Sequence, residues 1–105
     1  MEQANFSYID ALCDGDASFK QKLIEIVKDE LPREIEIYEQ NMVELKFQEA
    51  AENVHKLKHK ISILGMEESY QVAVNYEENL KINSLDLRTS FELILSQMIQ
   101  FITKI

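Results

Sequence analysis

The spacing of apolar residues in the middle of the chain limits most strongly what this protein can fold into. Apolar residues recur there at alternating steps of three and four, which is typical of an α-helix with one face in a core. This stripe consists of Phe47, Ala50, Val54, Leu57, Ile61 and Leu64. The 105 residues include only two glycines and one proline, too few for the many turns of an all-β fold. The sequence therefore predicts an all-α protein.

Apolar stripes of the same period indicate two helices before this segment. A short helix should run from about Phe6 to Asp14 and end at Gly15, where a left-handed backbone is favoured. Asp16 should then cap a long helix. We expect Pro32 to kink this long helix rather than end it, because the apolar stripe continues on both sides of the proline.

The turn between the long helix and the central one is poorly marked, since no Gly, Pro or Asp lies between Met42 and Gln48. Size indicates a turn nevertheless. A single helix from Asp16 to Leu64 would be roughly 73 Å long, whereas a compact chain of this length has a radius of gyration of about 13 Å. We expect the chain to turn near Leu45-Lys46.

Two further helices follow the central one, which should end at Gly65. The fourth helix should run from about Glu67 to Lys81. Asn83 or Ser84 should cap the fifth, with Asp86 in its first turn near the positive end of the helix dipole. The inward-facing residues of the fifth helix should be Leu87, Phe91, Ile94, Met98, Phe101 and Ile105. Long helices with short connections pack side by side, so the sequence predicts one domain over residues 1–105: an antiparallel four-helix bundle with a short additional N-terminal helix.

Composition and charge exclude several classes of function. The formal net charge of -8 argues against nucleic acid, whose binding depends on Lys and Arg contacts to phosphates. Cys13 is the only cysteine, so no internal disulfide can form and a reducing compartment is expected. No run approaches the ~18 apolar residues of a membrane span, and the first residues do not have the pattern of a signal peptide. We expect a cytoplasmic protein that does not bind membranes.

The central helix also carries both histidines and three of the eleven basic residues. At 100° per residue, Lys58 lies on the flank of the apolar stripe and His55 lies further round toward solvent. Lys56 and Lys60 should point elsewhere on the helix, partly as a solvated face and partly to attract an acidic partner. An exposed imidazole among lysines suits a small anion such as phosphate.

This pattern resembles the histidine-containing phosphotransfer (HPt) domain of bacterial phosphorelays. The motif of that family is a His followed by Leu at two, Lys at three, a small residue at four and Gly near ten. His55, Leu57, Lys58 and Gly65 fill four of these places, and His59 departs from the small residue. The resemblance covers roughly residues 5 to 81 and extends to Phe6-Ser7-Tyr8-Ile9, Asp14-Gly15-Asp16 and Leu31-Pro32.

The resemblance implies a carrier in two-component signal transduction. His55 would accept a phosphoryl group from the aspartate of a response-regulator receiver domain, or from a hybrid sensor histidine kinase, and pass it to another receiver. A neutral imidazole is a suitable nucleophile near neutral pH, and Lys58 would form a charge-assisted bond to the phosphoryl oxygens. The family's partner receiver supplies Mg²⁺, so no cofactor or metal is expected on this chain. Without a Gly-rich phosphate loop, we expect a phosphoprotein and not a kinase.

A docking surface for the partner should surround His55. Ala51 and Ser62 lie on the same side of the helix and leave the imidazole approachable because they are small. Lys56 would attract an acidic cleft, and His59 lies one turn from His55. Ile63 should lie near the outward side, either as an ordinary exposed residue or as part of an apolar docking patch.

Three alternatives stay open at this point. A degenerate member of the family could bind a receiver or kinase without being phosphorylated, because His59 is bulky where the family has a small residue. The chain could also be a four-helix adapter with an accidental resemblance. Finally, His55 and His59 at a spacing of four could chelate a metal with Glu52, although lysines lie between them.

Overall fold

The computed structural model describes residues 2–105, which form five α-helices and no β-strand. The helices are α1 (Ser7–Cys13), α2 (Ala17–Val43), α3 (Phe47–Ile63), α4 (Glu67–Lys81) and α5 (Arg88–Thr103). The radius of gyration is 13.9 Å, close to the value expected for a compact chain of this length. The predicted all-α class is confirmed. None of the helices within residues 2–105 is both long enough and apolar enough to cross a membrane.

The helices pack around a core to which α2, α3, α4 and α5 all contribute. α3 packs against both α2 and α4, α5 packs against the same two helices, and α1 lies against α2 and α3. Val54, Leu57 and Ile61 of the predicted central stripe are fully buried. Burial of such side chains contributes about 1.5–3 kcal/mol each, so the stripe fixes which face of α3 points inward.

A polar cluster reaches from this core to the surface, with buried Tyr38 and Tyr76 at one end and partly exposed Glu92 and Arg88 at the other. The Tyr38 hydroxyl lies 2.8 Å from the Glu92 carboxylate and 2.7 Å from the Tyr76 hydroxyl. Because a carboxylate only accepts, Tyr38 donates to Glu92 and Tyr76 donates to Tyr38. Arg88 also donates to Glu92, at 3.0 Å. Burial, followed by the bonds with Tyr76 and Glu92, raises the pKa of Tyr38. The cluster joins α2, α4 and α5 through bonds that satisfy both buried hydroxyls.

The first two turns lie where the sequence predicts them. Asp14 and Gly15 both have a left-handed backbone, and the Asp16 side chain accepts the Phe19 amide at 2.9 Å as the cap of α2. α2 then continues through Pro32 without interruption. The next turn lies at Leu45, with φ of 60°, as the size argument predicted.

Glycine is favoured at position 65, just after the end of α3, for two physical reasons. Its φ of 75° lies in the left-handed region that favours glycine. A Cβ at this position would also collide with the side chain of Asn5. The backbone N–H of Asn5 donates to the Leu64 carbonyl at 2.8 Å. The N-terminal segment therefore lies close against this turn and crowds the space that a side chain at position 65 would need.

The predicted start of α5 was wrong. The helix begins at Arg88, and the residue before it, Leu87, has φ of 73° and makes no side-chain cap. The polar groups of this loop are bonded in another way. Ser84 Oγ accepts the Asp86 backbone amide at 3.3 Å, and Asn79 of α4 donates to the Asp86 carbonyl at 3.0 Å. Leu87 and Ile105 lie outside the helix and are exposed, so they do not belong to its inward stripe.

The prediction for Lys60 was also wrong, because this lysine is buried. Its ammonium lies 2.9 Å from Glu30 and 3.1 Å from Glu34, both on α2. Burial lowers the pKa of Lys60, but the bonds from Glu30 and Glu34 outweigh it and the net shift is upward. Lys60 therefore stays charged and ties α3 to α2.

We predict that Lys60→Met lowers the free energy of unfolding by about 2 kcal/mol, because it leaves Glu34 partly buried without its cation. Methionine keeps the apolar stem, so the loss reports on the charge. The stabilisation that the Lys60 charge provides should be complete below the ordinary lysine pKa of 10.5. It should be lost as pH rises through the higher pKa that Lys60 has in the folded state. Urea denaturation measures the difference. Lys56→Met, on an exposed lysine, is the control, and equal stability of wild type and Lys60→Met would contradict the prediction.

Candidate functional site

His55 lies in the middle of α3 and faces the buried carboxylate of Glu77 on α4. Its Nδ1 is 3.2 Å from Glu77 Oε2. The imidazole is 54% exposed, whereas the Glu77 side chain is only 9% exposed. Because an ionised carboxylate accepts and never donates, Nδ1 carries the proton of the neutral ring. The lone pair is therefore on Nε2, so only this nitrogen of the neutral ring can accept a hydrogen bond or act as a nucleophile.

Two lysines share the carboxylate of Glu77 with His55. Lys58 Nζ lies 3.0 Å from Oε1, and Lys81 Nζ lies 3.5 Å from Oε2. Burial raises the pKa of Glu77, but the bond and charge of Lys58, together with His55, outweigh it and lower the pKa overall. Glu77 is consequently ionised at neutral pH, and cations on α3 and α4 compensate its charge.

Lys58 is mostly buried, with 12% of its side chain exposed. Its ammonium contacts Glu77 and lies 5.8 Å from the centre of the Tyr70 ring. Any contact of Lys58 with a phosphoryl group at His55 would thus be shared with Glu77. Lys81 is 47% exposed and bonds Glu78 at 3.1 Å as well.

A cavity of about 460 Å³ opens beside His55. Its wall includes Ala51, Lys56, Glu77 and Lys81. Ala51 is buried, so its methyl group forms part of the floor without filling the space, while Lys56 and Lys81 are exposed. The site thus brings together His55, Lys58, Ala51 and Lys56 from the sequence-predicted set.

Ser62 and Ile63 lie apart from this cavity. Ser62 is exposed and lines a second cavity with Tyr8 and Tyr70. Ile63 was expected near the outward side, but it is partly buried and packs against the core, because the N-terminal segment and α1 lie against this end of α3. Ile63 is therefore a packing residue more than an open docking residue.

His59 lies directly beside His55. The two ring centres are 5.2 Å apart and the rings meet edge to face, at 86°. Within residues 2–105, no group of three or more His, Cys, Asp or Glu side chains is arranged to hold a metal ion. The structure therefore does not assemble Glu52 with the two histidines into a three-ligand site.

Sequence reasoning missed Glu77 and Lys81. Glu77 falls at helical spacing with Ala73 and Leu80, which are both buried, so an acidic residue on an inward-facing stripe was the available signal. Lys81 follows Glu77 by one helical turn. The partner of Glu77 could not be read from α4 alone, since it depends on how α4 lies against α3.

Comparisons with protein-family models, with curated proteins and with solved structures give no match for this chain. The interpretation of the site consequently depends on its own geometry and on its sequence.

We predict that Glu77→Gln changes the tautomer of neutral His55. The wild-type ring should carry its proton on Nδ1, whereas a glutamine amide can accept or donate, so a substantial fraction of rings should move the proton to Nε2. The ¹⁵N chemical shifts of the two ring nitrogens distinguish these forms. Glu78→Gln removes a neighbouring exposed carboxylate and should leave the tautomer unchanged. An unchanged tautomer in Glu77→Gln would show that Glu77 does not control the ring.

Proposed function

We propose that this protein is an HPt-type phosphorelay carrier whose phosphoryl acceptor is Nε2 of His55. The observation that carries the proposal is the 3.2 Å contact between His55 Nδ1 and the buried Glu77 carboxylate. This contact assigns the lone pair to the opposite nitrogen of a ring that is half exposed. A fixed, accessible neutral imidazole is what nucleophilic attack on phosphorus requires.

The fold that belongs to this proposal is an antiparallel bundle of α2, α3, α4 and α5, with α1 covering one end. Two features support it. Consecutive long helices pack against each other, and α5 returns to α2. In such a bundle α3 and α4 present the His55 cavity on a surface that a partner domain can reach.

In the proposed reaction, the Nε2 lone pair of His55 attacks the phosphorus of a receiver's aspartyl phosphate. A nitrogen–phosphorus bond forms, the bond from phosphorus to the aspartate oxygen breaks, and the aspartate carboxylate leaves. Glu77 stabilises the positive charge that the ring acquires, as the carboxylate partner of a histidine does elsewhere. Transfer to the next receiver reverses these steps. Mg²⁺ and the aspartate belong to the partner. Because the phosphoryl group comes from that aspartate and no step uses a nucleotide, this chain needs no nucleotide site.

Lys58 and Lys81 supply positive charge next to the phosphorylated ring. Both contact Glu77, so they compensate the carboxylate and reduce its repulsion of an incoming phosphoryl group. The partner would cover the cavity at Ala51 and Lys56 and contact His59. Ser62 and Ile63, one to two turns further along α3, would lie at the edge of that contact.

A degenerate HPt-fold protein is the second candidate, in which a receiver or kinase binds without transfer. The observation that favours it is the contact between the His55 and His59 rings, because a second ring beside the nucleophile narrows the approach of a partner. Phosphorylation of the wild-type protein at His55 decides between the two candidates.

We predict that His55→Gln abolishes phosphate acceptance and leaves the thermal midpoint nearly unchanged, because half of the ring is exposed to water. The protein is incubated with purified receiver domains that have been phosphorylated by acetyl phosphate, and acid-labile, base-stable phosphate is measured. His59→Gln should still accept phosphate. Phosphorylation of His55→Gln, or its absence in the wild type with every receiver, would contradict the proposed function.

We predict that Lys58→Ala slows phosphotransfer roughly tenfold without abolishing it, since a bond to a charged group contributes about 1.5–3 kcal/mol and part of that is shared with Glu77. Lys81→Ala should have a smaller effect because Lys81 is more exposed. Lys22→Ala, on an exposed residue near the start of α2, is the matched control. Rapid-quench measurement of phosphohistidine gives the rates, and a wild-type rate in Lys58→Ala would show that Lys58 has no part in transfer.

A further inference from the structure

We propose that His59, when protonated, donates a hydrogen bond to the phosphoryl group on His55, so that the lifetime of the phosphohistidine depends on pH near neutrality. The inference rests on the proposed function, because it requires a phosphoryl group at Nε2 of His55. It gives a role to the residue at which the chain departs most clearly from the HPt-like motif.

The position of His59 supports this role. Its ring centre lies 5.2 Å from that of His55, one helical turn further along the same exposed face. His55 directs Nδ1 toward Glu77, so a phosphoryl group on Nε2 projects away from that carboxylate. The His59 ring contacts the His55 ring on this face of α3, so it can turn a nitrogen toward the phosphoryl oxygens.

The other cations near His55 are already paired with carboxylates. Lys58 bonds Glu77 at 3.0 Å, and Lys81 bonds Glu78 at 3.1 Å while it also contacts Glu77. Phosphorylation adds about 1.5 to 2 negative charges, which these pairs do not balance. A protonated His59 would supply charge that no carboxylate within residues 2–105 already bonds.

Among residues 2–105, Lys56 is the remaining cation of this surface that no carboxylate bonds, but its direction is less favourable. It follows His55 by one residue, and neighbours in sequence on a helix point about 100° apart. His59 follows His55 by four residues and shares its face. The geometry therefore favours His59 over Lys56 as the direct contact.

Charged groups of α3 and α4 line the cavity beside His55. They are Glu52 and Lys56 of α3 and Glu77 and Lys81 of α4. The cavity beyond Ser62 is lined by Glu67 of α4, with Ser7 and Tyr8 of α1. α2 contributes to neither cavity. Lysines and carboxylates are thus nearly balanced before phosphorylation, and the phosphoryl group is the new charge that His59 meets.

An ordinary imidazole gains its proton near pH 6.5. A protonated His59 would donate a charge-assisted bond to a phosphoryl oxygen, and the bond would lose its charge when the ring loses that proton. By linkage, a phosphoryl group that is stabilised by protonated His59 must in turn favour that protonation.

The test uses the whole chain and phosphoramidate, a small donor that transfers its phosphoryl group to imidazole and releases ammonia, so no partner protein is involved. The half-life of the phosphohistidine is followed by ³¹P NMR from pH 5.5 to 8.5 at low ionic strength. The wild type is compared with His59→Gln at each pH, because acid itself shortens the life of phosphohistidine. Lys22→Gln, on an exposed lysine of α2, is the control, and His55→Gln shows which signal belongs to His55.

At pH 6 the wild-type half-life should exceed that of His59→Gln by about threefold, the effect of an exposed charge pair, and the two should agree at pH 8.5. The His59 ring should also take up its proton at a higher pH in the phosphorylated protein than in the unphosphorylated one. Phosphorylation at His55 with equal half-lives at every pH would overturn this inference alone. Failure of phosphoramidate to modify His55 would overturn both the inference and the accessible nucleophile on which the proposed function depends.

Discussion

The buried carboxylate of Glu77 is the group on which the rest of the site depends. Removing a carboxylate from water costs several kcal/mol unless cations and hydrogen bonds replace the lost hydration. Here Lys58, Lys81 and His55 provide that compensation. The same contacts join α3 to α4 and orient the His55 ring, so the requirement to satisfy one buried charge also determines which ring nitrogen carries the lone pair.

The orientation of α3 about its own axis is set by two lysines with different neighbours. Lys58 pairs with Glu77 on α4, and Lys60 pairs with Glu30 and Glu34 on α2. A rotation of α3 that improved one cluster would break the other and leave a charge without a partner, which is costly in a poorly solvated position. His55 lies between these constraints on the side that neither neighbouring helix covers.

Sequence reasoning succeeded where a residue acts through its own backbone or through spacing along one helix. The stripe of α3, the Asp16 cap and the glycine at position 65 are of this kind. It failed where a distant element decides the outcome. Lys60 looks like a surface lysine until α2 places Glu30 and Glu34 beside it, and Asn79 holds the loop in which Ser84 would otherwise begin a helix. Glu77 could be recognised as unusual on a buried stripe, but its partners required the packing of α4 on α3.

The placement of Glu77 can itself be traced to the residue before it. Tyr76 is fully buried, and its hydroxyl is fixed by Tyr38, which in turn bonds Glu92 of α5. Since α4 cannot turn without leaving this hydroxyl unsatisfied, the next side chain, about 100° further round the helix, is directed toward α3. The polar cluster thus positions the carboxylate that orients His55. We expect a change at Tyr38 or Glu92 to act on the site through the rotation of α4.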